Sequence, residues 1–198
     1  GVNATNNTQN SCEIFDPQTG LFTAAASMTA VRAHHTATLL SDGRVLVAGG
    51  IQNMLDATSA VTSSTSSTTI YHPASNTWAP GPTLSRPRGA HMGVHLGNGK
   101  VLITGGDSPA TAPAELYDPA AGTFATTGAM SSARTRHFAV LLADGRVLVG
   151  TGDNGTNPVA TAEVYDPAAG TFSPTGSLTT ARDRAEARRL ANGRVVVV

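Results

Sequence analysis

The chain has 198 residues, and its 13 Lys and Arg residues are balanced by 13 Asp and Glu residues. Charged residues make up 13% of the chain, about half of the ~25% that is usual in soluble proteins. Without a basic surplus, a nucleic-acid partner held through phosphate contacts is excluded. No apolar run approaches the ~18 residues that a membrane helix needs. The sequence therefore predicts no nucleic-acid binding and no membrane insertion.

The first eleven residues are polar and lack the basic and apolar regions of a signal peptide. A signal peptide that was removed, or that lies upstream, stays open at this point. The one cysteine, Cys12, has no second cysteine with which to form an internal disulfide. The cysteine content therefore does not fix the cellular compartment.

An eleven-residue stretch recurs along the chain. Residues 114–124 are repeated almost unchanged at 162–172, and looser copies lie at 12–22 and 69–78. The copies are spaced by 56, 46 and 48 residues, and a period of this length is the signature of a repeat architecture. In every copy two aromatic residues are seven positions apart: Phe15 and Phe22, Tyr71 and Trp78, Tyr117 and Phe124, Tyr165 and Phe172.

The same series of signals follows each copy. Arg-x-x-His, or a relative of it, leads into an apolar run, an Asx-Gly pair, and a second apolar run that ends in a glycine pair in its clearest copies. Asx-Gly between two apolar runs predicts a hairpin with a type I′ turn, in which both central residues have positive φ. The proline two residues after the first aromatic residue of each copy, preceded by Asp in three of the four copies, ends a further strand. Each unit is thus predicted to contain four antiparallel strands, two long inner ones and two short outer ones.

A four-stranded unit with a period near 50 residues is typical of a propeller blade. The glycine pair, the downstream tyrosine and the second aromatic residue resemble the kelch repeat. The segments DGRVLVAGG and AEVYDPAAGTF are also similar to the propeller of galactose oxidase-type proteins. The predicted fold is an all-β, kelch-type β-propeller with about four blade equivalents in one domain, residues 1–198. Its repeat units are 12–50, 69–106, 114–152 and 162–198, with a Ser/Thr-rich loop at 51–68.

The resemblance implies a ring of six or seven blades, which is more than this chain contains. The repeats amount to an outer strand pair, three whole blades and an inner strand pair. The two half-blades either join as one mixed blade in a four-bladed ring or belong to a longer propeller. The resemblance favours the longer propeller, in which missing blades of the same chain are the partners of the half-blades.

The histidines of the Arg-x-x-His motif occupy one position per blade, so we expect them to form hydrogen bonds within or between blades rather than to bind metal. The resemblance to galactose oxidase-type enzymes implies a copper site with a tyrosine–cysteine crosslink. Here the tyrosines occupy repeat positions and Cys12 aligns with alanines of other repeats, so the copper site does not carry over. No catalytic residue, cofactor or metal ligand is predicted in this segment. The three histidines of the Arg-x-x-His motif are His35, His91 and His137.

Propeller loops on one face usually contact the ligand, which makes the loops after the glycine pairs candidates. Asp107 follows one pair, and Asp153 with Asn154 follows another. The Ser/Thr-rich loop at 51–68 is either a solvated connection or a hydroxyl-rich rim.

The last repeat departs most from the pattern. Asp183, Glu186 and Arg188 cluster there, and Glu186 and Arg188 are two residues apart on the strand, so they lie on one face and can pair. These charges either line the mouth of a water-filled central channel or mark a decayed repeat. We place all three at the channel mouth.

The sequence favours a non-catalytic kelch-repeat module that binds protein or carbohydrate through one loop face. Such a module fits a secreted or cell-surface bacterial protein. The alternatives are the propeller domain of a secreted carbohydrate-active or copper-radical oxidase, with catalytic residues outside this segment, and a structural spacer.

Overall fold

The computed structural model describes residues 1–3, 7–52, 63–106 and 113–198. Within these ranges the chain is all-β, with 16 strands in five antiparallel sheets and no helix. No helix in the described part is therefore long and apolar enough to cross a membrane. The strands are β1 (Cys12–Asp16), β2 (Leu21–Ala25), β3 (Thr36–Leu39), β4 (Val45–Ala48), β5 (Thr68–His72), β6 (Thr77–Pro80), β7 (Met92–His95), β8 (Val101–Thr104), β9 (Pro113–Asp118), β10 (Thr123–Ala129), β11 (Phe138–Leu141), β12 (Val147–Gly150), β13 (Ala162–Asp166), β14 (Thr171–Pro174), β15 (Ala187–Arg189) and β16 (Val195–Val197).

The strands form propeller blades in chain order. Strands β3–β6 make the first blade, β7–β10 the second and β11–β14 the third. Strands β1 and β2 form an N-terminal half-blade of outer strands, and β15 and β16 form a C-terminal half-blade of inner strands. The first strands of successive units are neighbours at the centre. The predicted fold class is confirmed, and the chain is a partial β-propeller.

The prediction of a type I′ turn in the inner hairpins is wrong. The Leu40 N–H donates to the Arg44 carbonyl at 2.8 Å, so three residues form the loop rather than two. Only Gly43 has positive φ, at 84°, and Asp42 is not left-handed. The Asp42 side chain instead accepts the Arg44 N–H at 3.0 Å. A left-handed glycine closing a three-residue loop matches the second common hairpin class.

The relative strand lengths also differ from the prediction. Every inner strand of the three complete blades has four residues, whereas the outer strands have four to seven. The aromatic pairs bridge the two outer strands of each unit in direct register, as between Tyr71 and Trp78. Their ring centroids lie 4.8–5.1 Å apart, a distance at which tilted rings attract.

The hydrophobic core consists of seams between blades. In the seam between the first and second blades, Leu46 and Ala48 of one blade pack with Val101, Ile103 and Tyr117 of the next. The seam between the second and third blades has similar packing, with Leu102 of one blade against Val147, Val149 and Tyr165 of the next. Because each blade buries one face against the next, a blade is stable only beside a neighbour.

Candidate functional site

In the three complete blades the arginine that opens the Arg-x-x-His motif is buried and anchors its blade. The Arg88 guanidinium bonds to Glu115 Oε1 through both Nε and Nη2, at 3.0 Å each. It also donates to the Gly105 carbonyl at 2.8 Å. Arg134 and Glu163 repeat the ion pair in the third blade at 3.2 Å. Charged side chains that are buried away from water in this way are tolerated because they are paired and hydrogen-bonded.

The glycine pair of one blade receives the motif of the next blade. A Cβ at Gly49 would collide with the Arg88 carbonyl oxygen and lie 2.8 Å from His91 Cε1. The next N–H, from Gly50, donates to that same carbonyl at 2.7 Å. His91 Nε2 lies 3.0 Å from Thr36 Oγ1 of the preceding blade. The glycines and the histidine therefore hold neighbouring blades together, in agreement with the expected structural role of the motif histidines.

Burial keeps these histidines neutral. Burial is the main cause that lowers the pKa of His91 and of His137 to about 3, and the neighbouring motif arginine lowers it further. For the more accessible His35, burial lowers the pKa to about 4. In the described ranges, no group of three or more His, Cys, Asp or Glu residues is placed to hold a metal ion.

The third position of the motif is left-handed in all four repeats. His34, Ala90, Arg136 and Arg184 have φ between 52° and 55°, a region that non-glycine residues rarely adopt. Their backbones form a chain of hydrogen bonds around the centre. Each of the last three donates its N–H to the carbonyl of the one before it, at 2.9 Å in every case. The fold therefore fixes this backbone position in each repeat, while the side chain differs from repeat to repeat.

These third-position residues border a hollow on the inner side of the partial propeller, at the place where the central channel of a closed ring would open, and we call this place the channel mouth. The hollow has a volume of about 420 Å³. Met92 supplies apolar surface, Phe138 borders the hollow with a side chain that is buried in its blade, and charged side chains of the last repeat supply much of the polar rim. The charged residues that line the hollow are Arg136, Arg184, Glu186 and Arg188, and its histidines are His34 and the three motif histidines His35, His91 and His137.

Ion pairs cross the rim of the hollow. Arg136 Nε lies 3.1 Å from Asp183 Oδ2, and Arg184 Nε lies 3.8 Å from the same oxygen. Arg188 and Glu186 are 3.5 Å apart and largely exposed. Burial is the main cause that lowers the pKa of His34, with smaller contributions from Arg184 and Arg136. At neutral pH the rim therefore offers guanidinium donors, carboxylate acceptors and a neutral imidazole.

The structure distributes the predicted site residues unevenly. Glu186 and Arg188 line the hollow and pair with each other as expected. Asp183 is not among the lining residues, but its carboxylate contacts Arg136, which is. Asp153 is on the same face, since its backbone pairs with Thr135.

The remaining predicted positions contribute less to the hollow. The side chains of Asp153 and Asn154 accept N–H groups of their own turn, Asp153 from Gly155 at 2.7 Å. Asp107 and most of the Ser/Thr-rich loop, residues 53–62, lie outside the described residues. Cys12 is half-buried rather than buried, whereas the alanine at its repeat position in the third blade, Ala162, is buried.

Sequence reasoning missed His34, Arg136 and Arg184. The available signal was that these residues occupy one of the two variable places between a constant arginine and a nearly constant histidine.

Comparison with known proteins supports the fold. No protein-family model matches the chain, and no curated protein matches its sequence. A solved structure described as YjhT superposes with a TM-score of 0.76 at 14% identity, covering 94% of this chain and 65% of that one. A copper-bound fungal alcohol oxidase of the AA5 family superposes with a TM-score of 0.56 at 18% identity, covering 94% and 53%. The likeness shows the propeller fold, and this chain spans less than two thirds of the length of either protein.

Proposed function

We propose that the chain is a non-catalytic, kelch-type propeller module that binds carbohydrate or protein through the face that carries the channel mouth. The observation that carries this proposal is the hollow at that mouth. Its volume of about 420 Å³ falls within the range of ~300–1,000 Å³ that is usual for ligand sites. It also combines apolar surface with a few convergent polar groups, as such sites do.

The repeat geometry supports a role of the rim in ligand choice. The left-handed backbone at the third motif position recurs in all four repeats, so it belongs to the fold. The side chains at that position are an imidazole, a methyl group and two guanidinium groups. A constant backbone with changing side chains presents different hydrogen-bonding groups around one hollow, and this is an arrangement that selects one ligand over another.

The dimensions favour carbohydrate over protein as the ligand. A protein interface of ordinary strength buries about 800 Å² on each partner, whereas the hollow accommodates a compact ligand of one or two sugar rings. Guanidinium and carboxylate groups on the rim match the hydroxyls of a sugar, and the half-buried side chain of Met92 offers apolar surface for its C–H face.

The experiment is binding of the chain to glycan and protein arrays, followed by titration of the strongest hit. We expect Arg188→Ala to weaken that binding at least fivefold without changing the unfolding midpoint. Arg146→Ala is the matched control, since Arg146 is also exposed and paired with an acid, Asp144, but lies in a hairpin on the opposite face. If Arg188→Ala altered stability alone and left every measurable binding unchanged, the channel mouth would not be the ligand site.

A second candidate is the propeller domain of a secreted carbohydrate-active or copper-radical oxidase, with catalytic residues outside this segment. It is favoured by the superposition on the AA5 alcohol oxidase. Copper titration of the full-length protein distinguishes the two candidates. Stoichiometric copper uptake with oxidation of a primary alcohol supports the oxidase, and no uptake supports the binding module.

A further inference from the structure

The motif arginine of the first blade is buried in the same way as those of the second and third blades. The side chains of Arg32, Arg88 and Arg134 are among the largest that the chain buries completely. Arg32 Nη1 donates to the Gly49 carbonyl at 2.7 Å. Arg88 Nη1 makes the equivalent bond to the Gly105 carbonyl at 2.8 Å. The guanidinium groups therefore occupy equivalent places in their blades.

The first blade differs in the residue that faces this arginine. Thr69 stands on β5 at the position that Glu115 and Glu163 hold in the other two blades. It pairs with Val47 of the second strand, and the two glutamates pair with the equivalent residues of their own blades. Among the residues that the structure describes, no Asp or Glu side chain forms an ion pair with Arg32. A buried guanidinium, which stays protonated in proteins, is costly when no opposite charge lies beside it.

The unused edge of Arg32 is the edge that binds the glutamate in the second blade. Nη1 of Arg32 also donates to the Ser67 carbonyl, and Nη2 donates to Ser67 Oγ, both at 3.1 Å. Nε is buried and has no hydrogen-bond partner in the described part of the chain. The N–H of Nε and the second N–H of Nη2 therefore remain. In Arg88 these two nitrogens both bind Glu115 Oε1, at 3.0 Å each.

A backbone N–H belongs to the same arrangement. In the second blade the other glutamate oxygen, Glu115 Oε2, accepts the Ser85 N–H at 2.7 Å, and the third blade repeats this bond at 2.9 Å. Thr29 occupies the position of Ser85, three residues before the motif arginine. Within the described residues the Thr29 N–H donates to no backbone carbonyl. The first blade thus carries the donors that surround the carboxylate in the other blades.

Thr69 does not take over the role of the glutamate. Its hydroxyl donates to the Ala79 carbonyl of β6 at 2.9 Å, and a hydroxyl carries no charge to offset a guanidinium. Its side chain is also shorter than that of glutamate by about the length of the carboxylate. Burial lowers the pKa of Arg32, which is the effect expected for a cation that is removed from water.

We propose that Arg32 and the Thr29 N–H bind a small monovalent anion, of the size of chloride or formate, inside the first blade. The anion accepts hydrogen bonds from Nε and Nη2 of Arg32 and from the Thr29 N–H, in place of the glutamate carboxylate of the other blades. One negative charge offsets one guanidinium. Because Arg32 and Thr69 are 1% and 0% exposed, the place suits an anion no larger than a carboxylate group.

This anion site is separate from the proposed ligand site. Arg32, Thr29 and Thr69 are not among the residues that line the hollow at the channel mouth. The inference therefore does not depend on the proposed function, and an anion held here stabilises the blade rather than taking part in ligand choice.

The experiment is thermal unfolding of the 198-residue chain at increasing chloride and, separately, at increasing formate, with gluconate keeping the ionic strength constant. An anion that binds only the folded chain stabilises it, so each tenfold increase above the dissociation constant should raise the unfolding midpoint by about 3–5 °C. The anion that acts at the lower concentration identifies the better ligand. Broadening of the chlorine-35 NMR signal by the chain, reversed by formate, should report the same site directly.

Three variants assign the effect to Arg32. Thr69→Glu supplies the carboxylate of the other blades, so it should raise the midpoint in low-anion buffer by roughly 5 °C and remove its dependence on either anion. Thr77→Glu is the matched control, since it adds the same charge at an exposed position of β6 in the same blade, and it should leave the anion dependence unchanged. Glu115→Thr should create a second site at Arg88, with a midpoint that falls in low-anion buffer and recovers by at least half at high chloride or formate.

Two results would overturn the proposal. The first is a midpoint of the 198-residue chain that changes with neither chloride nor formate at constant ionic strength, because Arg32 would then be solvated by water alone. The second is an anion dependence that Thr69→Glu leaves as large as Thr77→Glu does, because the anion would then bind elsewhere on the chain.

Discussion

The seam after the third blade allows a sharp test of how glycine and histidine join the blades. Thr151 stands there in place of the first glycine, and Ala185 stands in place of the histidine. At the preceding seam a Cβ on Gly105 would lie 2.5 Å from His137 Cε1. A threonine and a histidine therefore exclude each other, and the two replacements compensate.

The magnitudes follow from this geometry. Ala185→His alone forces an imidazole against the Thr151 side chain, and overpacking of this kind costs about 1–3 kcal/mol. Thr151 has a backbone φ of 60°, which costs a non-glycine residue about 1–2 kcal/mol. Thr151→Gly alone relieves that strain and also removes a buried hydroxyl that has no hydrogen-bond partner. The added chain entropy of glycine offsets up to about 1 kcal/mol of that gain. The double variant recreates the joint of the other seams, with a favourable coupling of about 0.5–3 kcal/mol.

The assay is urea unfolding of the four proteins of this double-mutant cycle, monitored by circular dichroism. We expect Ala185→His to destabilise the original chain and to be neutral or stabilising in the Thr151→Gly background. An equal loss of stability in both backgrounds would refute the reasoning, because the two positions would then not meet across the seam.

Two further predictions concern buried polar groups. Glu115→Gln leaves the Arg88 guanidinium buried without its counter-ion, so urea unfolding should show that the free energy of unfolding falls by about 3–5 kcal/mol. The control, Glu186→Gln on the exposed rim, should lower it by less than about 0.5 kcal/mol. Similar losses in the two variants would contradict a stabilising role of the buried pair. Because burial lowers the pKa of His91 and His137 to about 3, the unfolded chain binds more protons than the folded chain between pH 6.5 and 3. Stability should thus be complete above pH 6.5 and fall as the pH decreases through that window, by up to about 1.4 kcal/mol per pH unit for each histidine; urea midpoints that stay constant from pH 7 to pH 5 would count against this.

The repeat pattern predicts the blades well because each unit carries all its local signals. Strand ends, hairpins and aromatic pairs recur with the sequence, and the order of strands within a blade follows from hairpin connections. The turn type was wrong because Asp-Gly suits both a type I′ turn and a three-residue loop with a left-handed glycine. The choice between them depends on the pairing of Leu40 with Arg44 and on the Asp42 side chain, which accepts the Arg44 N–H.

The channel mouth was predicted in part for a related reason. Glu186 and Arg188 were identified because they break the repeat pattern with charges on an inner strand. His34, Arg136 and Arg184 were missed because residue type gives no indication of a left-handed backbone at a position that is not glycine. The hydrogen bonds between successive blades impose that backbone, and those contacts join residues about 50 positions apart.

The most direct test of the central claim is hydrogen–deuterium exchange of the chain with and without its strongest array hit. The account predicts slower exchange at the channel mouth, in residues 34–36, 90–92, 136–139 and 184–188, and no change in the hairpins of the opposite face, 41–44 and 143–146. Protection confined to the opposite face or to the outer strands, with the mouth unchanged, would contradict it.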